Sequence, residues 1–415
     1  MVIEGTTTLP LKDQGTGGSR TGFVLGRRAS LVVSTGVAGH TLWASAAPAL
    51  TYRLYAQEWH LTHTATTAIF AVFPIAVVAM LIGFGGISDQ IGRRATMLLG
   101  LGASLIGAAL FAVAPDIWWV FAGRDFMGVG VGLSAGTSTA AILEFSSHQD
   151  ARRAASLTMM AQAGGFAAAL LVGGALTEYG PWPTRLCFWV LAVLLAALTA
   201  ATWFLPRHTA GEAKADWRPR MPFVPKNMRR AFATASTAMM VAYTFGVLVL
   251  SFGGQVEHDL IGSSNALLNG AVLALFPIVL APVGIVAKRL SSRIALGIGS
   301  VSSVFGMGLL ALAVSRHDLL TYLIATATAG AAYSLLFVGG LGFVNTGSSH
   351  HRGAVFSALY LVGYLSMGAL ALVLGVVATV RGLGLAVYLG AVVITIVSLA
   401  TLVLAATKAT HGTHP

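Results

Sequence analysis

Twelve apolar runs, each long enough to cross a bilayer, follow one another along this 415-residue chain and limit its fold more than any other feature. They begin near Ser30, Thr66, Ala95, Ile117, Ala154, Leu186, Ala231, Asn265, Ile294, Leu319, Ala354 and Leu383. The runs are continuous and rich in Ala, Leu, Val and Gly, without the ten-residue alternation of barrel strands, so they read as helices. Only 9% of the residues are Asp, Glu, Lys or Arg, against about 25% in a soluble domain. The expected fold class is an all-α polytopic membrane protein whose first partner is the lipid bilayer. Its 49 glycines predict close helix crossings, since small residues let membrane helices approach.

The formal charge of +11 would suit a nucleic-acid binder, but the basic residues lie in loops and on one side. With the first residue in the cytoplasm, Arg53, Arg185, Arg316 and Arg381 fall outside and Arg124 falls within a span; the other lysines and arginines fall inside. That bias puts both termini in the cytoplasm and leaves no nucleic-acid partner. Arg27-Arg28, an apolar stretch and Ala44-Ser45-Ala46 imitate a secretory signal, but the polar leader is long and the run is long enough to span, so it reads as a retained first helix. The single cysteine, Cys187, excludes a disulfide framework or Cys-based metal site within the chain.

The longest polar segment, 207–230, contains Pro219, Pro222 and Pro225 among seven basic residues and divides the helices six and six. The expected domains are a tail over 1–28, a six-helix bundle over 29–206, the linker, a second bundle over 231–406 and a tail over 407–415. The two halves echo each other. Gly85-Gly86-Ile87-Ser88-Asp89-Gln90-Ile91-Gly92-Arg93-Arg94 follows the second helix, and Gly284 to Arg293 follows the eighth, each opening with Gly and closing with a basic residue. Leu99-Gly100-Leu101-Gly102 is then matched by Leu296-Gly297-Ile298-Gly299. A parallel repeat of a six-helix unit is a transporter architecture.

The loop residues Gly85, Asp89, Gly92, Arg93 and Arg94 resemble the motif between helices two and three of the major facilitator superfamily, with Gln90 where a basic residue is usual. The resemblance extends over nearly the whole chain. It implies two pseudo-symmetric six-helix bundles that alternate access to a central site in a protein acting as a monomer. It also implies a cytoplasmic gate, in which Asp89 and the arginines pair across the halves. Independently, glycine at a tight turn reaches backbone geometry closed to other residues, and Asp89 suits a neighbouring helix N-terminus.

Within the fourth helix, Arg124 through Gly130 resembles a second motif of the superfamily, whose arginine assists proton transfer in proton-coupled members. An arginine inside an apolar helix faces a partner or aqueous cavity, or reaches back to the interface. Asp125 is either a proton carrier, if desolvated, or a structural salt-bridge partner. His40, near the middle of the first helix, is a third proton-coupling candidate or simply a residue bonded to a backbone carbonyl. Glu144 with Arg152 and Arg153 resembles a further gate pair of sugar-type members. In the fifth helix Gly173-Gly174 fit an exporter motif, but Ala169-Leu170 stand where it has Gly-Pro. The acidic residue that exporters commonly carry in the first helix is absent between Arg28 and Thr51.

In the helices that line the cavity in this superfamily, Trp43, Gln162, Tyr243, Asn269, Tyr333, Asn345, Tyr360 and Tyr364 are the substrate-binding candidates. The set is aromatic and poor in charge, which favours an amphipathic or weakly acidic small molecule over a densely hydroxylated sugar. The first reading is a secondary transporter of the bacterial inner membrane, a proton antiporter exporting a small organic compound. The second is proton-coupled uptake of an organic acid or sugar. An enzyme would need clustered ligands or a nucleophile with its base, and a pump a phosphate loop. Gly128-x-Gly130-x-Gly132 lies within a continuous helix, so no enzyme, cofactor or metal is expected.

Overall fold

A computed structural model describes residues 24–84, 87–146, 151–206, 224, 226–344 and 352–407. Among them are twelve long helices, beginning with α1 (Arg27–Ala46), α2 (His63–Phe84), α3 (Arg93–Val113), α4 (Ile117–Phe145), α5 (Ala151–Tyr179) and α6 (Leu186–Trp203). The second set is α7 (Arg229–Gly246), α8 (Ala266–Ala287), α9 (Ser292–Arg316), α10 (Leu319–Val344), α11 (Arg352–Arg381) and α12 (Leu383–Ala406). Their starts lie within about three residues of those read from the sequence. Eleven are long and apolar enough to cross a membrane. The exception, α1, is 20 residues long but more polar, because it buries Ser30, Ser34, His40 and Thr41 while packing on α4 and α5.

The packing follows the repeat. In the first half α1 touches α4 and α5, while α2 touches α4 and α3 touches α4 and α6. In the second half α7 touches α10 and α11, α8 touches α10, and α9 touches α10 and α12. Across the halves α2 packs on α11 and α5 on α8, which are equivalent pairs under the same relation. One local detail recurs as well. Phe73-Pro74-Ile75 in α2 corresponds to Phe276-Pro277-Ile278 in α8, and a glycine packs against the carbonyl of each phenylalanine. A Cβ at Gly128 would stand 2.7 Å from the oxygen of Phe73, and one at Gly330 2.3 Å from that of Phe276. Only glycine permits these crossings of α4 on α2 and of α10 on α8.

Gly92 has φ +86° and ψ 152° where the chain turns into α3, which supplies the conformational reason for glycine expected there. Gly85 lies outside the described residues. The linker expected over 207–230 falls mostly outside them, its last residues forming a short turn, Lys226–Met228, and the first turn of α7.

At the other end of the bundle Asp318 caps α10, accepting from the backbone nitrogens of Leu320 and Thr321 and from the Thr321 hydroxyl. The Thr321 hydroxyl and these amides hold its carboxyl below the usual carboxylate range. Because the folded value is the lower one, this stabilisation is present above the unfolded value near 3.9 and is lost as pH falls through the folded value. Asp318→Ala is therefore expected to lower the melting temperature of detergent-purified protein by at most about 2 °C at pH 7, and by progressively less as the pH is taken below the ordinary carboxylate range.

Candidate functional site

The loop between α2 and α3 lies at one end of the bundle, the motif face, where its arginines bind neighbouring helices. Arg93 pairs with Glu144 on α4 and donates to the Ala140 carbonyl at 3.0 Å. Arg94 donates to the Leu205 carbonyl at 3.2 Å and lies over the Trp203 ring at 5.4 Å. Arg27 holds the end of α4 through the carbonyls of Phe145 and Ser146. These contacts brace α1, α3, α4 and α6 within the first half. Glu144 thus has an arginine partner from α3, whereas the sequence suggested Arg152 and Arg153. The side chains of those two residues and of Asp89 lie outside the described residues. Between the halves at this face, Lys288 Nζ donates to Ser156 Oγ at 3.1 Å, and burial lowers the Lys288 ammonium below its ordinary value.

At the opposite face polar contacts tie the halves together. Thr64 at the start of α2 donates its backbone N–H to Thr379 Oγ1 on α11 at 2.9 Å, its hydroxyl lies 2.9 Å from the same atom, and that hydroxyl donates to the Gly375 carbonyl at 3.2 Å. His63 Nδ1 donates to Gln255 Oε1 at 2.7 Å, and Gln255 Nε2 donates to Thr66 Oγ1 at 3.4 Å. Glu178 at the end of α5 accepts from the Ala266 amide at 2.7 Å, placing a carboxylate at the N-terminus of α8.

Arg124 is fully buried. Its Nη1 donates to the carbonyls of Ala44 at 3.3 Å and Ser45 at 3.2 Å at the end of α1. The guanidinium lies 4.4 Å from the Phe73 ring and 5.9 Å from the Phe70 ring. Nε and Nη2 find no acceptor among the described residues, and neither does the buried Tyr52 hydroxyl find a partner. Asp125, one position on, is exposed on the outside of α4 beside Phe126. The structure thus separates the two coupling candidates, because successive helical positions point about 100° apart. His40 is buried, its Nδ1 donating to Val37 O of its own helix α1 and its Nε2 accepting from Ser104 Oγ of α3 at 3.3 Å.

Four substrate candidates converge. The Tyr243 and Tyr364 rings meet edge to face at 4.7 Å, and Tyr333 lies 6.5 Å from Tyr243. Phe337 stacks on Tyr333 at 5.7 Å and carries the cluster to Tyr360 at 6.2 Å. Phe276 meets Tyr333 at 5.6 Å, and Phe166 from α5 meets Phe276 at 5.9 Å, so the aromatic cluster reaches across the halves. The remaining candidates lie elsewhere. Gln162 donates to Thr41 at 3.3 Å and Trp43 packs on the hydrophobic core. Asn269 is bonded to Ser263 ahead of α8, and Asn345 lies outside the described residues. Three polar residues that the sequence reading passed over emerge: Tyr52, Gln255 and Glu257. Each sits just past an apolar run, where polarity reads as ordinary loop chemistry. Among the described residues no three His, Cys, Asp or Glu side chains are grouped to hold a metal.

The family model of the Major Facilitator Superfamily matches residues 32–372, most of the chain. The chain belongs to the major facilitator superfamily. Its nearer relatives are matched only in part. It is 42% identical over 71 residues to inositol transporter 4 of Arabidopsis thaliana, covering 17% of this chain and 12% of that one. It is 26% identical over 184 residues to multidrug resistance protein MdtH of Yersinia pestis (strain Pestoides F), covering 44% and 45%. The chain thus spans less than half the length of these curated relatives. Among solved structures, a mutant of the nucleoside transporter NupG superposes with a TM-score of 0.72 at 15% identity, covering 91% of this chain and all of that one. That likeness is one of fold. Family and fold are those of transporters, built on a multi-pass membrane scaffold of two pseudo-symmetric six-helix bundles.

Proposed function

We propose that this superfamily member is a secondary transporter that exports a small amphipathic organic molecule across the bacterial inner membrane. It works as a monomer with both termini in the cytoplasm, alternating access by rocking its two halves in exchange for protons. The observation that carries this reading is the cluster of Tyr243, Tyr333, Tyr360 and Tyr364 with Phe276 and Phe337, fed by four helices of one half and touched by Phe166 of the other. Ring faces with phenolic edges suit a flat or amphipathic solute, and among the described residues no charged side chain takes part in the ring contacts of the cluster. The partial similarity to a protein named for multidrug resistance agrees with this choice, whereas that to a protein named as an inositol transporter favours the second reading, uptake of a polar solute coupled to protons.

The test is proton movement in proteoliposomes of known orientation, challenged with amphipathic amines, weak organic acids and cyclic polyols. Amphipathic compounds are expected to drive proton counterflow. Tyr333→Ala combined with Tyr364→Ala is expected to raise the half-saturating concentration about tenfold, from about 0.5–1.5 kcal/mol for each aromatic pair lost. Co-movement of protons with a polyol or acid would instead establish uptake.

A further inference from the structure

Beyond Gly246, where α7 ends, the helix continues through two π-helical segments, Val247–Ser251, which closes the membrane-spanning stretch, and Val256–Ile261, separated by Gly253–Gln255. Turns bonded i→i+5 are rare and occur mostly as single-turn bulges, frequently at functional sites. Glu257 lies in the second segment with 0% of its surface exposed, and neither carboxylate oxygen has a hydrogen-bond partner among the described residues. Next to it, Val256 and Tyr322 line an apolar cavity of about 30 Å³ between α7, α9, α10 and α12.

An ionised carboxylate in such surroundings is costly. Burial pushes the Glu257 carboxyl well above the ordinary carboxylate range. Nothing nearby offsets it. On its own turn His258 is paired with Asp259 at 2.7 Å. Facing it from another element is Tyr322 of α10, with His63 of α2 reached only through Gln255, while Arg316 and His317 at the end of the packed α9 are exposed. None of these donates to a Glu257 oxygen.

We propose that Glu257 is a proton-binding site that latches the opposite face of the transporter, protonated and buried when the halves are tied there, ionised and drawn toward water when they part. The linkage runs through two residues of chain. Gln255, in the turn just before, makes the cross-half bonds to His63 and Thr66, so rewinding this segment to expose Glu257 withdraws Gln255 from α2. The sign follows: low pH holds the face shut, and rising pH releases it. This inference rests on the proton-coupled transport reading but is testable without any substrate.

Thr64→Cys in a Cys187→Ala background places a thiol at the cross-half seam. Its labelling by a membrane-impermeant maleimide is followed in proteoliposomes from pH 5.5 to 8.5, with rates corrected for thiolate fraction by an exposed-cysteine control. The corrected rate is expected to rise roughly tenfold with pH, to stay at its low-pH value throughout in Glu257→Gln, and to recover its rise with a displaced midpoint in Glu257→Asp. A rise of the same size in Glu257→Gln, or no rise in the parent protein, overturns the latch. Absence of transport across the solute panel, with the Glu257-dependent rise intact, would sink the transport reading and leave the latch standing.

Discussion

Arg124→Met is expected to give protein that folds and inserts at close to the parent yield but transports at least about 100-fold more slowly, with Arg124→Lys little better. The guanidinium makes two charge-assisted bonds to the carbonyls of Ala44 and Ser45, each worth about 1.5–3 kcal/mol, and losing both corresponds to about 100-fold or more. Stability is spared because methionine removes the cost of burying an unpaired cation together with those bonds, and such exchanges are often close to neutral. The loss falls on transport because Arg124 joins the end of α1 to α4 and rests on Phe73 of α2, so three helices of one half meet on one side chain. Its remaining nitrogens, with the Tyr52 hydroxyl close by, are donors that a proton-bearing group or an anionic substrate moiety would engage. Lysine keeps the charge but not the planar guanidinium, whose Nη1 reaches both carbonyls while Nε and Nη2 supply further donors. Initial rates in proteoliposomes, read beside melting curves of the same preparations, check this. Rates within twofold of the parent would reduce Arg124 to a cap on α1.

The helices were legible because membrane insertion makes length and apolarity almost sufficient; every one of the twelve starts could be read to within a turn. The repeat was legible from the two loops, and it was also written in the Phe-Pro-Ile of α2 and α8, whose role becomes visible only once Gly128 and Gly330 are seen on the preceding carbonyls. The tyrosines of the site could be named from the helices that carry them, but not that four would meet while Asn269 turned to Ser263. Asp125 and Arg124 show why. A sequence places both in the same turn, and only the packing of α4 decides that one is enclosed and the other faces out. Glu257 was hidden for the opposite reason: it stands among His258, Asp259 and Gly262, which read as a surface loop, and its burial comes from a helix that continues past its apolar span.

Joining the two halves at the opposite face should stop transport reversibly. Thr64→Cys and Thr379→Cys replace hydroxyls 2.9 Å apart on α2 and α11, close enough for small side-chain adjustments to bring two sulfurs to their bonded separation of about 2.05 Å. Native Cys187 is buried against the first-half core and does not compete. Oxidation with copper phenanthroline is expected to reduce transport to the level of empty liposomes and dithiothreitol to restore it, while each single variant transports as the parent does under both conditions. The reasoning is geometric. A seam that carries Thr64, Gly375 and Thr379 on one side of the central axis and Glu178 with Ala266 on the other must open by several ångströms if the aromatic cluster is to meet that side of the membrane, and a disulfide permits none of that opening. Undiminished transport by fully cross-linked protein would mean that α2 and α11 do not separate at this seam, and would contradict rocking of the two halves as the route of access.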